Sequence, residues 1–283
     1  MKTLLKSIIL AAAILVFSLQ AATADILLGT TGSGNTPAPY SVLVQIDQDT
    51  GKLIRTIGPV GYKVNGLAWD RASQTLYATT SINDKKFHGL ITIDPGTGAG
   101  TPVDPIVVNF GLGGTISPVM AITIDSHGQM VGWYQECLAG PCAPGTTDTF
   151  VTIDKLTGRA TEFNNTGIDA ARLGLSFNAI DQLWLIDSPI GGPDGPIQLL
   201  WLIDPATGQP VLNGLLSPPT AVALGDFSPS KNHYYGINKD PQGADPTRAD
   251  LVVVNIKNGK VKTVGPTVKD LHTITFVKPP LKK

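Results

Sequence analysis

The hexapeptide Ile153-Asp154-Lys155-Leu156-Thr157-Gly158 recurs along the chain and decides how the fold is interpreted. Similar hexapeptides begin at residues 46, 93 and 203, and a degenerate fifth copy with the sequence VNIKNG begins at residue 254. The spacing runs from 47 residues (46 to 93) to 60 residues (93 to 153). Recurrence at such a period is typical of repeat architectures. The sequence therefore predicts a fold built from one repeated structural unit.

Each hexapeptide follows an apolar alternating run, such as Leu43 to Ile46, and precedes a second short run, such as Lys52 to Ile57. These runs are typical of strands, so the hexapeptide is predicted to form the tip of a β-hairpin. The aspartate can accept a hydrogen bond from a backbone N–H two residues later, and the glycine supplies the left-handed conformation. No copy offers more than two carboxylates and the copies lie far apart, which disfavours a metal-binding role.

Two further strands precede each hairpin. The first is small and apolar, as in Gly66 to Asp70, and the second is richer in aromatic residues, as in Thr75 to Thr79. Aromatic side chains suit a pleated and partly buried surface. Four antiparallel strands in about 50 residues are typical of a β-propeller blade. The small apolar strand is expected to be the innermost strand of its blade.

The two ends of the repeat array complement each other. Ile26 to Thr30 matches a second strand with no first strand before it, whereas Leu271 to Val277 matches a first strand with no unit after it. Together they would form one blade and close the ring, which removes the open edge of a linear stack. The predicted fold class is therefore all-β, a five-bladed propeller of four-stranded antiparallel blades.

The repeat resembles those of secreted YVTN-type and NHL-type propellers, which combine an inner strand, a polar turn, a strand with Leu-Tyr or Leu-Trp, and I-D-x-x-T-G. That resemblance implies the fold and leaves the activity open, because such propellers include enzymes and binding scaffolds. Plant-type glutaminyl cyclases are also secreted five-bladed propellers, and the resemblance implies a catalytic glutamate where an inner strand begins. Here that segment, Val64-Asn65-Gly66-Leu67, has Asn65 instead, which argues against the cyclase activity.

Residues 1–24 are predicted to be a signal peptide. Lys2 and Lys6 precede an apolar segment of twelve residues, Ile8 to Leu19, and Ala22-Thr23-Ala24 matches a cleavage site before Asp25. Twelve residues are too few for a transmembrane helix, which needs about 20. Residues 25–283 are predicted to form a single propeller domain that is secreted or periplasmic. Removal of the two lysines changes the net charge from −1 to −3.

Composition excludes several classes of partner. The chain has no basic stripe, so nucleic-acid binding and a polybasic membrane-surface patch are not expected. Cys137 and Cys142, the two cysteines, are predicted to form a disulfide that closes a small loop in an exported protein. A metal or redox pair is the alternative, although no further cysteine or histidine is near them in sequence. No cofactor and no metal site is predicted.

Strand order predicts two different rims. The connections between second and third strands are long, irregular and rich in Gly, Pro, Asn and Asp, and they share one rim. Residues expected around the channel mouth on that rim are candidates for ligand binding. They are Asn65, Trp133, Arg172, Asp187, Asn238 and His272. Packing or capping would equally explain several of these residues.

The sequence favours a non-catalytic propeller that binds a protein, peptide or glycan outside the cytoplasm through its long-loop rim. Motifs such as G-x-S-x-G and H-E-x-x-H are absent from the sequence. The alternative is a hydrolase or lyase at the channel mouth that uses His272 together with His88 or Asp187. Those side chains would then have to converge within hydrogen-bond reach of one point.

Overall fold

The structure is a computed structural model of the 283-residue chain. It describes residues 25–32, 39–81, 84, 86–105, 110, 119–134, 148–168, 170–189, 198–218, 222–239 and 248–278. These residues form five sheets, each of four antiparallel strands, arranged as the blades of a propeller. The fold class predicted from the hexapeptide repeat is confirmed.

The first, innermost strand of each blade surrounds the central axis. The inner strands are β4 (Val64–Asp70), β8 (Val119–Ile124), β12 (Ala170–Phe177), β16 (Val222–Phe227) and β20 (Leu271–Val277). Each packs against the inner strands of both neighbouring blades, so that the five form a closed ring. The second strands are β1 (Ile26–Thr31), β5 (Thr75–Thr80), β9 (Met130–Tyr134), β13 (Leu183–Pro189) and β17 (Tyr234–Lys239).

The third and fourth strands complete each blade outwards. The third strands are β2 (Val42–Ile46), β6 (Leu90–Ile93), β10 (Thr149–Ile153), β14 (Leu199–Ile203) and β18 (Ala249–Asn255). The outer strands are β3 (Leu53–Pro59), β7 (Gly100–Pro102), β11 (Ala160–Asn165), β15 (Pro210–Leu215) and β19 (Lys260–Pro266). Blade 1 has the order β20-β1-β2-β3, and blades 2 to 5 follow along the chain from β4, β8, β12 and β16.

Blade 1 joins the two ends of the described chain. Strand β1 pairs antiparallel with β20, with Ile26 opposite Val277 and Leu27 opposite Phe276. The sequence predicted this pairing of an N-terminal second strand with a C-terminal first strand. Blade 1 therefore has four strands like the other blades, and the ring closes without the open end of a linear stack.

The recurrent hexapeptide forms the turn between third and outer strands, as predicted. In blade 1, Asp47 Oδ1 accepts hydrogen bonds from Asp49 N (2.9 Å) and Thr50 N (3.0 Å), and Gly51 N donates to Asp47 O at 2.8 Å. Gly51 has φ = +77°, a left-handed value that favours glycine. The degenerate fifth copy keeps the same turn, with Gly259 N donating to Asn255 O at 2.8 Å.

The hydrophobic core lies between blades. The described residues contain five clusters of buried apolar side chains, and each cluster draws on at least two adjacent blades. Blades 3 and 4, for example, share a cluster in which Trp133 and Phe150 pack with Leu173 and Leu185. A blade therefore has no complete core of its own, and the closed ring is the unit that buries the apolar surface.

One rim of the propeller is formed by the turns between first and second strands and between third and fourth strands. We call it the short-turn rim, and it has polar contacts between blades. Lys155 of blade 3 donates to Asp70 of blade 2, at a distance of 2.5 Å. Ser126 of blade 3 donates to Asp181 of blade 4, and Ala179 N of blade 4 donates to the side chain of Asn232 of blade 5. Charged and polar side chains of this rim thus hold the ring together.

Candidate functional site

The opposite rim, the long-loop rim, contains all five connections between second and third strands. The strand ends place these connections at residues 32–41, 81–89, 135–148, 190–198 and 240–248. Large parts of these connections lie outside the described residues. Their described flanks, together with the starts of the inner strands, define the candidate site.

Asn65 and Trp133 occupy interior positions of the ring. Asn65 is buried in β4, and its Nδ2 approaches Met120 Sδ of the next blade at 3.6 Å. Trp133 is fully buried, donates from Nε1 to Asp148 Oδ2 at 2.8 Å, and packs edge-to-face on Phe150. A packing role accounts for Trp133, so its replacement by alanine would report on folding rather than on binding.

Blade 4 brings two other predicted residues to neighbouring strands. Asp187 on β13 lies opposite Leu173, the residue after Arg172 on β12. Asp187 is buried, with 1 % of its surface exposed. A buried carboxylate is stable only beside hydrogen-bond donors or an opposite charge.

His272 is paired with a lysine from blade 5. Its Nδ1 lies 3.1 Å from Lys239 Nζ, and Asn238, another predicted site residue, is the neighbour of Lys239 on β17. An ammonium group can only donate, so Nδ1 accepts and the proton of the neutral ring is on Nε2. Nε2 is buried and has no hydrogen-bond partner among the described residues. The structure thus brings His272 and Asn238 to the same junction between blades.

The protonation state of His272 limits its chemistry. Burial, reinforced by the charge of Lys239, lowers the pKa of His272 to about 3. The imidazole is therefore neutral near pH 7, and its basic nitrogen already accepts a hydrogen bond from Lys239. His88, its proposed partner, directs Nδ1 to Ser81 O at 3.1 Å. These bonds disfavour a histidine acid–base pair at this rim.

A group of aromatic and cationic side chains lies between blades 1 and 2 on the long-loop rim. Lys86 Nζ lies 4.2 Å from the ring centroid of Tyr40 and 5.9 Å from that of Tyr62, and Tyr62 contacts Phe87 edge-to-face. Tyr40 and Tyr62 are half-buried, and Lys86 is exposed. A hydrogen bond with Tyr40 raises the pKa of Lys86. We call Tyr40, Tyr62 and Lys86 the tyrosine–lysine cluster.

Buried Asp84 orders the backbone below this cluster. Its carboxylate accepts hydrogen bonds from the backbone N–H groups of Lys63 (2.6 Å), Lys86 (2.8 Å) and Phe87 (3.1 Å). The first donor lies on the approach to β4 and the other two lie in the β5–β6 connection, so one carboxylate joins the two segments. This connection fixes Lys86 beside Tyr62, which precedes Lys63.

Sequence reasoning did not identify the tyrosine–lysine cluster, because its members come from three separate segments. Each segment does have a sequence feature that is typical of a binding residue. Tyr40 shortly precedes a strand, Tyr62 follows an outer strand, and Lys86 lies in one of the long connections. Amphipathic aromatic side chains at loop ends on the same rim are typical of binding surfaces. Only the pairing of blades places the three together.

The central channel ends in a polar cavity at the short-turn rim. Arg71, Thr123, Asp226 and Thr275 are among the residues that line it. Asp226 accepts hydrogen bonds from Ser176 Oγ (2.6 Å) and Thr275 Oγ1 (2.9 Å), and so links blades 4, 5 and 1. Burial raises the pKa of Asp226. Asp226 also accepts hydrogen bonds from Phe227 N and Phe276 N, so four donors of the protein saturate this carboxyl group and give it a role in ring assembly.

Two further features bear on function. The described residues contain no group of three or more His, Cys, Asp or Glu side chains that could hold a metal ion. Within that same part of the chain, no helix has the length and apolarity needed to cross a bilayer. Cys137 and Cys142 lie outside the described residues, so the disulfide stays a prediction.

Comparison with known proteins supports the fold and no more specific relationship. No protein-family model matches the chain, and no curated protein sequence is similar to it. TolB from Acinetobacter baumannii has a similar structure, with a TM-score of 0.51 and 14% identity, over 92% of this chain and 57% of TolB. A 6-phosphogluconolactonase-like protein from Bacteroides uniformis gives a TM-score of 0.50 and 11% identity, over 90% of this chain and 100% of its own. The chain thus spans little more than half of TolB. At such identities the likeness shows a shared propeller fold alone.

Proposed function

We propose that this protein is an exported, non-catalytic propeller that binds a protein, peptide or glycan partner through its long-loop rim. In this proposal residues 1–24 are removed as a signal peptide, and residues 25–283 form one secreted or periplasmic domain. The tyrosine–lysine cluster is part of the contact surface.

This proposal rests on a difference between the two rims. On the short-turn rim, the near-identical hexapeptide turns and the links Lys155–Asp70 and Ser126–Asp181 serve the assembly of the ring. On the long-loop rim, five connections of different sequence leave the scaffold at equivalent positions. Variable connections on a rigid scaffold are where binding residues concentrate.

The chemistry of the tyrosine–lysine cluster suits recognition. Half-buried tyrosines combine apolar contact area with a hydroxyl group and lose little side-chain entropy on binding. Lys86 is exposed and held over the Tyr40 ring, so its ammonium group can reach a carboxylate or hydroxyl group of a partner. The neutral His272 and the saturated Asp226 favour this role over hydrolysis, which needs an available base or nucleophile.

Site-specific photo-cross-linking in the exporting cells tests the proposal. A benzoylphenylalanine residue would replace Lys86 on the long-loop rim or, as the matched control, Leu156 on the short-turn rim, which is 87 % exposed. We expect a discrete cross-linked species with the probe at Lys86 and none with the probe at Leu156. The opposite pattern, or no adduct at either position, would contradict the assignment of the binding rim.

The identified partner then permits a quantitative measurement. Tyr40→Ala should weaken its binding by about fivefold or more, because tyrosines are enriched among the interface residues whose truncation costs more than about 1 kcal/mol. Leu156→Ala should leave the affinity unchanged. Circular dichroism of both variants separates lost binding from lost folding.

A further inference from the structure

Asp25, the residue before β1, is held inside a turn of a different blade. Its Oδ2 accepts hydrogen bonds from Ser228 Oγ (2.8 Å), Ser230 Oγ (2.6 Å) and Ser230 N (2.9 Å). Ser228 and Ser230 belong to the turn between β16 and β17 of blade 5, whereas β1 belongs to blade 1. Only 7 % of the Asp25 surface is exposed. One carboxylate oxygen thus connects the start of the described chain to a serine 203 residues later.

The second carboxylate oxygen of Asp25 lacks a donor. Oδ1 is buried and has no hydrogen-bond partner among the described residues. A buried acceptor without a donor is destabilising, because water solvates it in the unfolded chain. The three donors therefore satisfy Oδ2, whereas no donor among the described residues offsets the burial of Oδ1.

This position coincides with the predicted boundary of the mature chain. Ala22-Thr23-Ala24 is the predicted cleavage site, so Asp25 would become the first residue. Hydrolysis of the Ala24–Asp25 peptide bond by a processing peptidase consumes one water. The water oxygen becomes part of a carboxylate on Ala24, and the amide nitrogen of Asp25 takes up both protons of that water to become an α-ammonium group. That group carries three N–H donors and a positive charge, four bonds away from Oδ1.

We propose that cleavage after Ala24 completes a polar clasp at the ring closure, with the α-ammonium group of Asp25 as the missing partner of its own Oδ1. The inference rests on the proposed export of the protein. Before cleavage, residue 25 offers one amide N–H and no charge. After cleavage, an opposite charge lies beside the buried carboxylate, where an ion pair is screened less than at the surface.

The clasp acts where the ring is closed without a covalent link. Strand β1 is attached to β20 by backbone pairing, beginning with Ile26 opposite Val277. Asp25 adds a side-chain link from the start of β1 to blade 5, and a second link joins Lys231 of blade 5 to Asp49 of blade 1 at 2.7 Å. Maturation of the N-terminus is thereby coupled to the stability of the closed propeller.

The test compares four proteins that all extend to the last residue of the chain. Two begin at residue 25, one as wild type and one as Asp25→Asn, and two retain Thr23 and Ala24 before the same two sequences. In the wild-type background, we expect the extension to lower Tm by about 2–4 °C, the shift that a loss of about one ordinary interaction gives at this size.

The Asp25→Asn background supplies the matched control. There the extension should change Tm by much less, because the interaction between the two charges is absent. An equal effect of the extension in both backgrounds would overturn the clasp.

Two further measurements keep the outcome interpretable. Ser230→Ala removes one donor from Oδ2 and should lower Tm in both forms without abolishing the effect of the extension. N-terminal sequencing of the exported native protein should give Asp-Ile-Leu-Leu-Gly. A different first residue would refute the processing step. If Asp25 is the first residue but the Thr23-Ala24 extension leaves Tm unchanged, the clasp is refuted and the proposed export is not.

Discussion

Replacing Lys155 with methionine should destabilise the propeller strongly, although Lys155 occupies a variable position of the repeated hexapeptide. Its ammonium group lies 2.5 Å from Asp70 Oδ2, and the side chain of Asp70 is 2 % exposed while that of Lys155 is 23 % exposed. Asp70 Oδ1 also accepts hydrogen bonds from Ala72 N and Ser73 N. Methionine retains the apolar stem of lysine and removes only the charge.

The expected loss of stability follows from the burial of Asp70. Removing one partner of a buried ion pair costs about 3–5 kcal/mol, because the other charge stays buried and uncompensated. The partial exposure of Lys155 and the two backbone donors to Asp70 reduce this cost to about 2–3 kcal/mol. For a domain of this size that corresponds to a fall in Tm of roughly 4–12 °C.

The pH dependence of stability gives a second, independent test of the pair between Lys155 and Asp70. Burial raises the pKa of Asp70, but the hydrogen bonds from Lys155 and the adjoining turn outweigh it and leave the pKa below 3.8. A carboxyl with a depressed pKa stabilises the fold above its unfolded pKa, and this stability is lost as the pH falls. The difference between wild type and Lys155→Met should therefore be full at pH 7 and shrink below about pH 4.

Urea denaturation at several pH values measures both effects. Leu156→Ala, next in the sequence and exposed, is the matched control and should be neutral. A double-mutant cycle with Asp70→Asn should yield a coupling energy of at least about 1 kcal/mol. Stability of Lys155→Met within about 0.5 kcal/mol of wild type at pH 7 would refute the assignment of this pair as a blade-to-blade link.

Three further substitutions test the packing of the ring. Gly259→Ala should cost more than about 2 kcal/mol, because its Cβ would collide with the carbonyl oxygen of Leu215 at a φ of +67°. Gly61→Ala, at φ +83° with nothing within 4 Å, should cost only the left-handed penalty of about 1–2 kcal/mol, and equal costs in urea denaturation would contradict the steric argument. Trp133→Phe keeps an aromatic ring but deprives buried Asp148 of its indole donor, and differential scanning calorimetry should show a loss of about 1–3 kcal/mol. Unchanged stability would show that this bond is dispensable.

Several features of the fold followed from local sequence. The Asp and Gly of each hexapeptide predicted the hairpin turn, because an Asx hydrogen bond and a left-handed glycine are local properties. The incomplete repeats at the two ends predicted that Ile26 to Thr30 and Leu271 to Val277 share a blade, and β1 pairs with β20 as expected. Alternation and turn chemistry operate within a few residues, so a single sequence displays them.

Candidate site residues were harder to identify from sequence. The sequence placed Trp133 and His272 near the channel mouth, but it could not show that Trp133 bonds to Asp148 or that Lys239 occupies the Nδ1 nitrogen of His272. The tyrosine–lysine cluster was missed entirely. Side chains that meet across a blade boundary depend on strand tilt and blade packing, which no local pattern encodes.

The sequence alone determined the number of blades, the four-strand unit, the closure of the ring and the division into a regular and an irregular rim. The tertiary structure decided which side chains bridge blades, such as Lys155 with Asp70 and Asp25 with Ser228. It also decided which side chains share the long-loop rim. The reason is physical: turns and strands arise from interactions between neighbours in sequence, whereas the environment of a buried charge is created only when the ring closes around it.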